Sequence, residues 1–235
     1  MTNDFHNILY TPLDCPPRPD VPLDALKEWL RASVGNNQYK DFLSTIGNIA
    51  DRKVLNYPWD ATVAYFNMTG NGPHWINNFD KEFPELAKYM YEAFGLPLKN
   101  LGLIVILPTK EEHTGHGFWH TDPDWYGMRL YLQFDNLEKN RLFLKKTKEP
   151  RTKRAGWTHA DLQDEIHECK ITSSKQCFYL NNVRAVHATY TGAPGSNRIA
   201  ALIIPKSGHE EKVIPLISDL VVRSAEKFKD VAILY

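Results

Sequence analysis

The segment His116-Gly117-Phe118-Trp119-His120-Thr121-Asp122 carries an imidazole and a carboxylate two residues apart, and a further histidine, His187, follows 65 residues after Asp122. Alternate side chains of a strand point to one face, so a strand over 116–122 places His116, Phe118, His120 and Asp122 together. His120 and Asp122, completed by His187, make a two-histidine, one-carboxylate facial triad. That donor set suits Fe(II) and leaves coordination positions open for oxygen and a co-substrate.

The pair alone is weak. Nine histidines and 28 acids in 235 residues produce about one His-x-Asp/Glu by chance, and this sequence has three. His159 with Asp161 lies in a helix-like stretch close to His187, and His209 with Glu211 has no histidine after it. Only His120 with Asp122 combines a strand-like setting with a distant later histidine. A zinc site from His113, His116 and His120 needs helical spacing, which Thr114, Gly115 and Gly117 oppose.

A second element is independent of the histidines. Arg198 follows His187 by 11 residues, across the turn-rich Thr191-Gly-Ala-Pro-Gly-Ser-Asn197. Read as a hairpin, this returns a planar bidentate cation to the metal site, where it suits a dicarboxylate.

The elements that must position these groups fall into three parts. Residues 1–95 read as a helical lead-in and support layer. Five prolines between 12 and 22 imply an extended segment, followed by helices over 24–34 and 41–49 and a third from about Asp80 to Gly95. Residues 96–207 carry seven short β-type runs, at 101–107, 116–122, 128–134, 141–146, 176–181, 185–190 and 198–204, which predict an antiparallel sandwich or barrel. The stretch 158–169 reads as a helical turn or more, and 208–235 as a C-terminal segment with a helix over 215–228. The whole is one domain, mainly β with flanking helices.

His120-Thr121-Asp122, His187 and the His187-x10-Arg198 spacing resemble the Fe(II)/2-oxoglutarate-dependent oxygenases, over roughly residues 101–205. The likeness extends loosely to bacterial prolyl and aspartyl/asparaginyl hydroxylases. The resemblance implies a double-stranded β-helix core, a jelly roll of the cupin type, under an N-terminal helical layer. It implies His120, Asp122 and His187 as iron ligands and catalytic centre, 2-oxoglutarate and O2 as co-substrates, and Arg198 on the distal carboxylate of 2-oxoglutarate. Many members have serine two residues after that arginine. Ala200 stands there in this chain, so another donor is needed, and Tyr131 and Thr189 are the candidates. An acid at 122 favours hydroxylation over halogenation, whose enzymes have glycine or alanine at that position.

Around this centre, Arg129, Tyr131 and Gln133 alternate with Met128, Leu130, Leu132 and Phe134, giving one polar and one apolar strand face. With the apolar face under the helical layer, Arg129 lines the barrel mouth and can hold a carboxylate, as can Arg184. Trp119 and Trp125 read as walls that exclude water, or as core packing, and His116 as the rim of the site. Eight basic residues between Lys139 and Arg154 read as a solvated hairpin tip, with a loop that grips an acidic partner as the alternative.

Composition bounds the function. The charges balance at 28 basic and 28 acidic, which disfavours nucleic acid as the partner. No run approaches the length of a membrane span, and no signal-like N-terminus is present, so the expected location is cytoplasmic. Cys15, Cys169 and Cys177 have no C-x-x-C spacing and read as buried small residues. The expected reaction is hydroxylation of an unactivated C–H bond in a free amino acid or an amino-acid-derived small molecule. A side chain of a protein or peptide is the alternative substrate, and a non-catalytic metal-binding cupin module the reading from another class.

Overall fold

The computed structural model of the chain describes residues 5–26, 28–29, 61–67, 78–92, 101–108, 115–116, 119–121, 129–133, 140–149, 157–171, 173, 175–191, 198–203 and 210–235. It is mostly strand, arranged in antiparallel sheets with a few helices. The strands are β1 (Ile8–Pro12), β2 (Ala61–Asn67), β3 (Leu101–Pro108), β4 (Gly115–His116), β5 (Arg129–Gln133), β6 (Asn140–Thr147), β7 (Leu162–Cys169), β8 (Cys177–Leu180), β9 (Val186–Thr191), β10 (Arg198–Ile203) and β11 (Ile233–Leu234). Two sheets result, one of seven strands in the order β11-β1-β8-β5-β10-β3-β2 and one of four in the order β4-β9-β6-β7.

Buried residues of both sheets form a single cluster. Tyr10, Phe178 and Leu180 of the large sheet pack with Leu142, Leu144 and Cys169 of the small one, each at most 2% exposed. Burying a side chain of this size contributes roughly 1.5–3 kcal/mol, so this inter-sheet layer is a principal source of stability. Helix α3 (Glu210–Lys227) packs on β1, and its buried Ile217, Val221 and Ala225 recur every fourth residue. Asp14 fastens it twice. Its N–H donates to Ser224 Oγ at 2.9 Å, and its carboxylate accepts from Lys227 Nζ at 2.6 Å. Strands β1 and β8 are consequently buried along their whole length.

All seven expected strands have counterparts, but four more were not foreseen. β1 and β2 belong to the large sheet, so the first 95 residues are not solely a helical layer. β1 is hard to see because Pro12 ends it and an apolar run of only five residues fits helix, strand or loop alike. β7 replaces the helix expected over 158–169. A single 3-10 turn, His159–Asp161, is closed by the Thr158–Asp161 capping box, and the chain then extends. The sequence LQDEIHEC has little strand preference, and only its two ends are buried. Pairing with β6 sets its conformation, an instance of tertiary context overriding local propensity.

The third expected helix is two. α1 (Phe79–Glu82) and α2 (Pro84–Glu92) divide at Phe83, because Pro84 removes an N–H and disfavours helical geometry in the residue before it. The expected helix over 41–49 lies outside the described residues. α3 begins five residues before Pro215, which sits inside it rather than at its first position.

Only part of the basic run falls at a hairpin tip: Lys148, Arg151, Lys153 and Arg154 lie in the connection between the antiparallel β6 and β7, whereas Arg141, Lys145 and Lys146 are on β6 itself. Its residues 140–147 are β6, an inner strand of the small sheet, and Arg141 pairs with Glu168 of β7 at 3.6 Å. Of the cysteines, Cys169 and Cys177 are buried as expected, whereas Cys15 is half-buried. Among the described residues, no helix is long and apolar enough to cross a membrane.

His167 on β7 gives a pH test of this arrangement. Its Nε2 is buried with no hydrogen-bond partner, and its Nδ1 lies 3.8 Å from Glu165 Oε1. Burial, reinforced by the Lys146 ammonium and opposed by Glu165, holds its pKa below the ordinary value of 6.5. The unfolded chain therefore takes up this proton first as the pH falls, and stability declines through and below that value. His167→Gln should flatten the decline between about pH 7 and pH 5, measured as urea midpoints. An unchanged slope would show that this ring does not contribute.

Candidate metal centre

The site is built on the small sheet. His187 is 4% exposed and lies on β9 directly opposite Leu144 of β6. Residues opposite one another in a ladder share a face, and Leu144 is part of the inter-sheet cluster, so His187 belongs to the inner wall. His120 joins the same row on the other side. Its N–H donates to the His187 carbonyl at 3.1 Å, and the His187 N–H donates to the His120 carbonyl at 2.9 Å. The two rings stand 4.4 Å apart, inclined by 46°.

The orientation of His187 is set by the backbone. Its Nδ1 lies 3.0 Å from the Ala185 carbonyl oxygen, which is able only to accept, so the proton sits on Nδ1 and the lone pair on Nε2. Ligating histidines are commonly aimed in this way, by donating the nitrogen that does not bind the metal. Two neighbouring imidazoles, one with a fixed tautomer, fit the nitrogen half of an iron donor set. Among the described residues no group of three His, Cys, Asp or Glu converges. Asp122, expected to complete the triad, lies outside them, as does Trp125.

The other candidates sort by register. Thr189 is opposite Leu142, hence in phase with His187. In the large sheet Arg129 and Tyr131 are opposite Leu180 and Phe178, two members of the inter-sheet cluster. Leu202 of β10 is opposite Tyr131, and Arg198 is in phase with Leu202. In register, Arg129, Tyr131 and Arg198 are thus in phase with Leu180 and Phe178 of the inter-sheet cluster.

Two expectations are corrected. His187 and Arg198 are not on the two arms of a hairpin, since β9 belongs to the small sheet and β10 to the large one. Thr191 ends a strand of one sheet and Arg198 begins a strand of the other, so the two residues are in different sheets instead of on adjacent strands. Nor does one strand run evenly from His116 to Asp122. His116 is opposite Tyr190 and His120 opposite His187, four residues on one side against three on the other. That one-residue slip puts His116 out of phase with His120, as a β-bulge does.

Trp119 and Arg184 each have a contact within the fold. The Trp119 ring carries the Lys145 ammonium 5.3 Å from its centroid. Both residues are one position out of phase with the His120–His187–Leu144 row, and both are half-buried, as expected of the sheet's outer face. Arg184 donates from Nη1 to the His6 carbonyl, tying the β8–β9 turn to the N-terminal segment. The Ala185 carbonyl was missed altogether, because a backbone acceptor leaves no mark in a sequence.

No protein-family profile matches the chain, and no curated protein matches it. Solved structures similar to it include a non-heme monooxygenase, ThoJ, in its apo form, at 12% identity over 97% of this chain and 96% of that one, with a TM-score of 0.40. A Pseudomonas putida prolyl-4-hydroxylase is 9% identical over 87% of this chain and 96% of that one, with a TM-score of 0.37. A 2OG-Fe(II) oxygenase family oxidoreductase from Burkholderia pseudomallei is 9% identical over 60% of this chain, with a TM-score of 0.34. The chain spans 64% of that protein's length.

Proposed function

We propose that the chain is a non-haem Fe(II)/2-oxoglutarate-dependent dioxygenase with a jelly-roll core, hydroxylating an unactivated C–H bond of an amino acid or an amino-acid-derived small molecule. The observation that carries this reading is the His120–His187 pair. Two imidazoles are bridged through their backbones, and the Ala185 carbonyl fixes the proton of His187, all on the inner wall of a two-sheet core. His120, His187 and Asp122 would hold the iron. When bound, iron and 2-oxoglutarate supply the oxidation of the C–H bond.

The protein's own part is positional. Arg198 would bind the distal carboxylate of 2-oxoglutarate, with Tyr131 or Thr189 supplying the hydroxyl that Ala200 lacks. Arg129 would take the carboxylate of the substrate. The buried Leu142 and Leu144 floor beside His187 keeps water from the reacting centre. No general base is needed.

The test requires no substrate. Fe(II) and 2-oxoglutarate are added anaerobically to the metal-free protein, and the weak visible charge-transfer band of chelated 2-oxoglutarate is sought. Its appearance, and its loss in His187→Ala, supports the class. Iron binding without the band leaves a metal-holding cupin. In steady-state assays of succinate formation, Arg198→Ala should raise the 2-oxoglutarate requirement at least about tenfold, as loss of a charged bidentate contact does. The requirement for the substrate being oxidised should change little, and an equal effect on both would remove Arg198 from this role.

A further inference from the structure

The described residues hold a second cluster of reactive side chains, on the far side of the large sheet from the histidines. β1 stops pairing regularly with β8 after Leu13, whose N–H donates to the Cys177 carbonyl at 2.8 Å. Pairing resumes where the Arg18 N–H donates to the Lys175 carbonyl at 2.9 Å. Five residues on one side thus span two on the other, and Asp14 to Pro17 rise off the sheet. This raised segment is pinned from two helices. Asp14 is held by Ser224 and Lys227 of α3, and Pro16 accepts a hydrogen bond from the Tyr89 hydroxyl of α2 at 2.5 Å.

The pinning directs Cys15 at Cys177. The Tyr89 oxygen lies 3.3 Å from Cys177 Sγ and 3.9 Å from Cys15 Sγ, so one hydroxyl touches both sulfurs. Their environments differ. Cys15 is half-buried, and the neighbouring Cys177 thiol is the chief cause holding its pKa below the usual thiol value. Cys177 is fully buried, and burial pushes its thiol well up. A half-buried thiol beside a fully buried one, both against one hydroxyl, is the arrangement of a peroxide-reactive cysteine and its resolving partner.

We propose that Cys15 and Cys177 are a redox pair that hydrogen peroxide closes to a reversible disulfide. The Cys15 thiolate attacks one peroxide oxygen. The O–O bond breaks, Cys15 becomes a sulfenic acid, and hydroxide leaves to be protonated to water. The Cys177 sulfur then attacks the Cys15 sulfur and displaces the hydroxyl, which departs as a second water with the Cys177 proton. Two thiols and one peroxide yield one disulfide and two waters, a two-electron oxidation that an added dithiol reverses. The crosslink joins the raised segment to β8 and takes both sulfurs from the Tyr89 hydroxyl.

The full chain is treated with a small excess of hydrogen peroxide, alkylated with N-ethylmaleimide, digested and analysed by mass spectrometry. The expected result is a linked Cys15–Cys177 peptide that dithiothreitol removes, with Cys169, buried between the sheets, still a thiol. In Cys177→Ser, dimedone should trap a sulfenic acid on Cys15. In Cys15→Ser, oxidation of Cys177 should slow at least about tenfold. Recovery of both cysteines as alkylated thiols, or Cys15 linked only to a second chain, would overturn the proposal. So would undiminished oxidation of Cys177 in Cys15→Ser. The peptide map of the unaltered chain decides the question should either variant fail to fold.

Discussion

A chain carrying His187→Ala should lose Fe(II) affinity by more than about a hundredfold, since even changes behind a ligating residue cost 10–100-fold and this one removes a donor. The expectation rests on placement. His187 is 4% exposed, its Nδ1 is committed to the Ala185 carbonyl, and its ring stands 4.4 Å from that of His120. An anaerobic Fe(II) titration reads the affinity, and circular dichroism of the same samples shows whether the sheets persist. The truncation leaves a cavity in the core, so His187→Gln, which keeps most of the volume, serves as the second variant. Unaltered iron binding in both would move the centre away from this pair.

Leu144→Ala should cost about 2–5 kcal/mol of folding free energy, the range for emptying a fully buried leucine position. Its neighbour offers the contrast. Lys145→Ala loses a half-exposed contact with Trp119 and should cost at most about 1 kcal/mol. Urea unfolding of the two variants therefore reads which face of β6 looks into the molecule, and with it which face of β9 carries His187. Equal losses would mean that the row containing His120, His187 and Leu144 is not the inner one.

Much of the β architecture was legible because its strands are short apolar runs cut by glycine, proline and asparagine. LGLIVIL and RIAALII became β3 and β10 with ends shifted by a residue or less. What stayed hidden depends on partners distant in sequence. β7 is a polar segment drawn into a strand by β6, and β1 a five-residue run whose two neighbours come from near residues 180 and 234. The histidine pair was legible from residue type and spacing, while its seat on one inner row was not, because that requires the register of three strands. The hairpin expected between His187 and Arg198 failed for a related reason. A turn-rich connection of six residues serves equally to reverse a strand within one sheet or to carry the chain into another.

That crossing makes the thickness of the sandwich a functional dimension. With the histidines on one wall and the arginine position on the other, their separation is set by whatever fills the gap, chiefly Tyr10, Phe178 and Leu180 against Leu142 and Leu144. Facing sheets lie about 10 Å apart and respond to the bulk between them as pages do to a bookmark. A modest change of size at Phe178 would then alter the reach from metal to carboxylate anchor while touching neither. If the proposed function holds, size preference among dicarboxylate co-substrates would become a property of the hydrophobic core, open to tuning by residues that never meet the ligand.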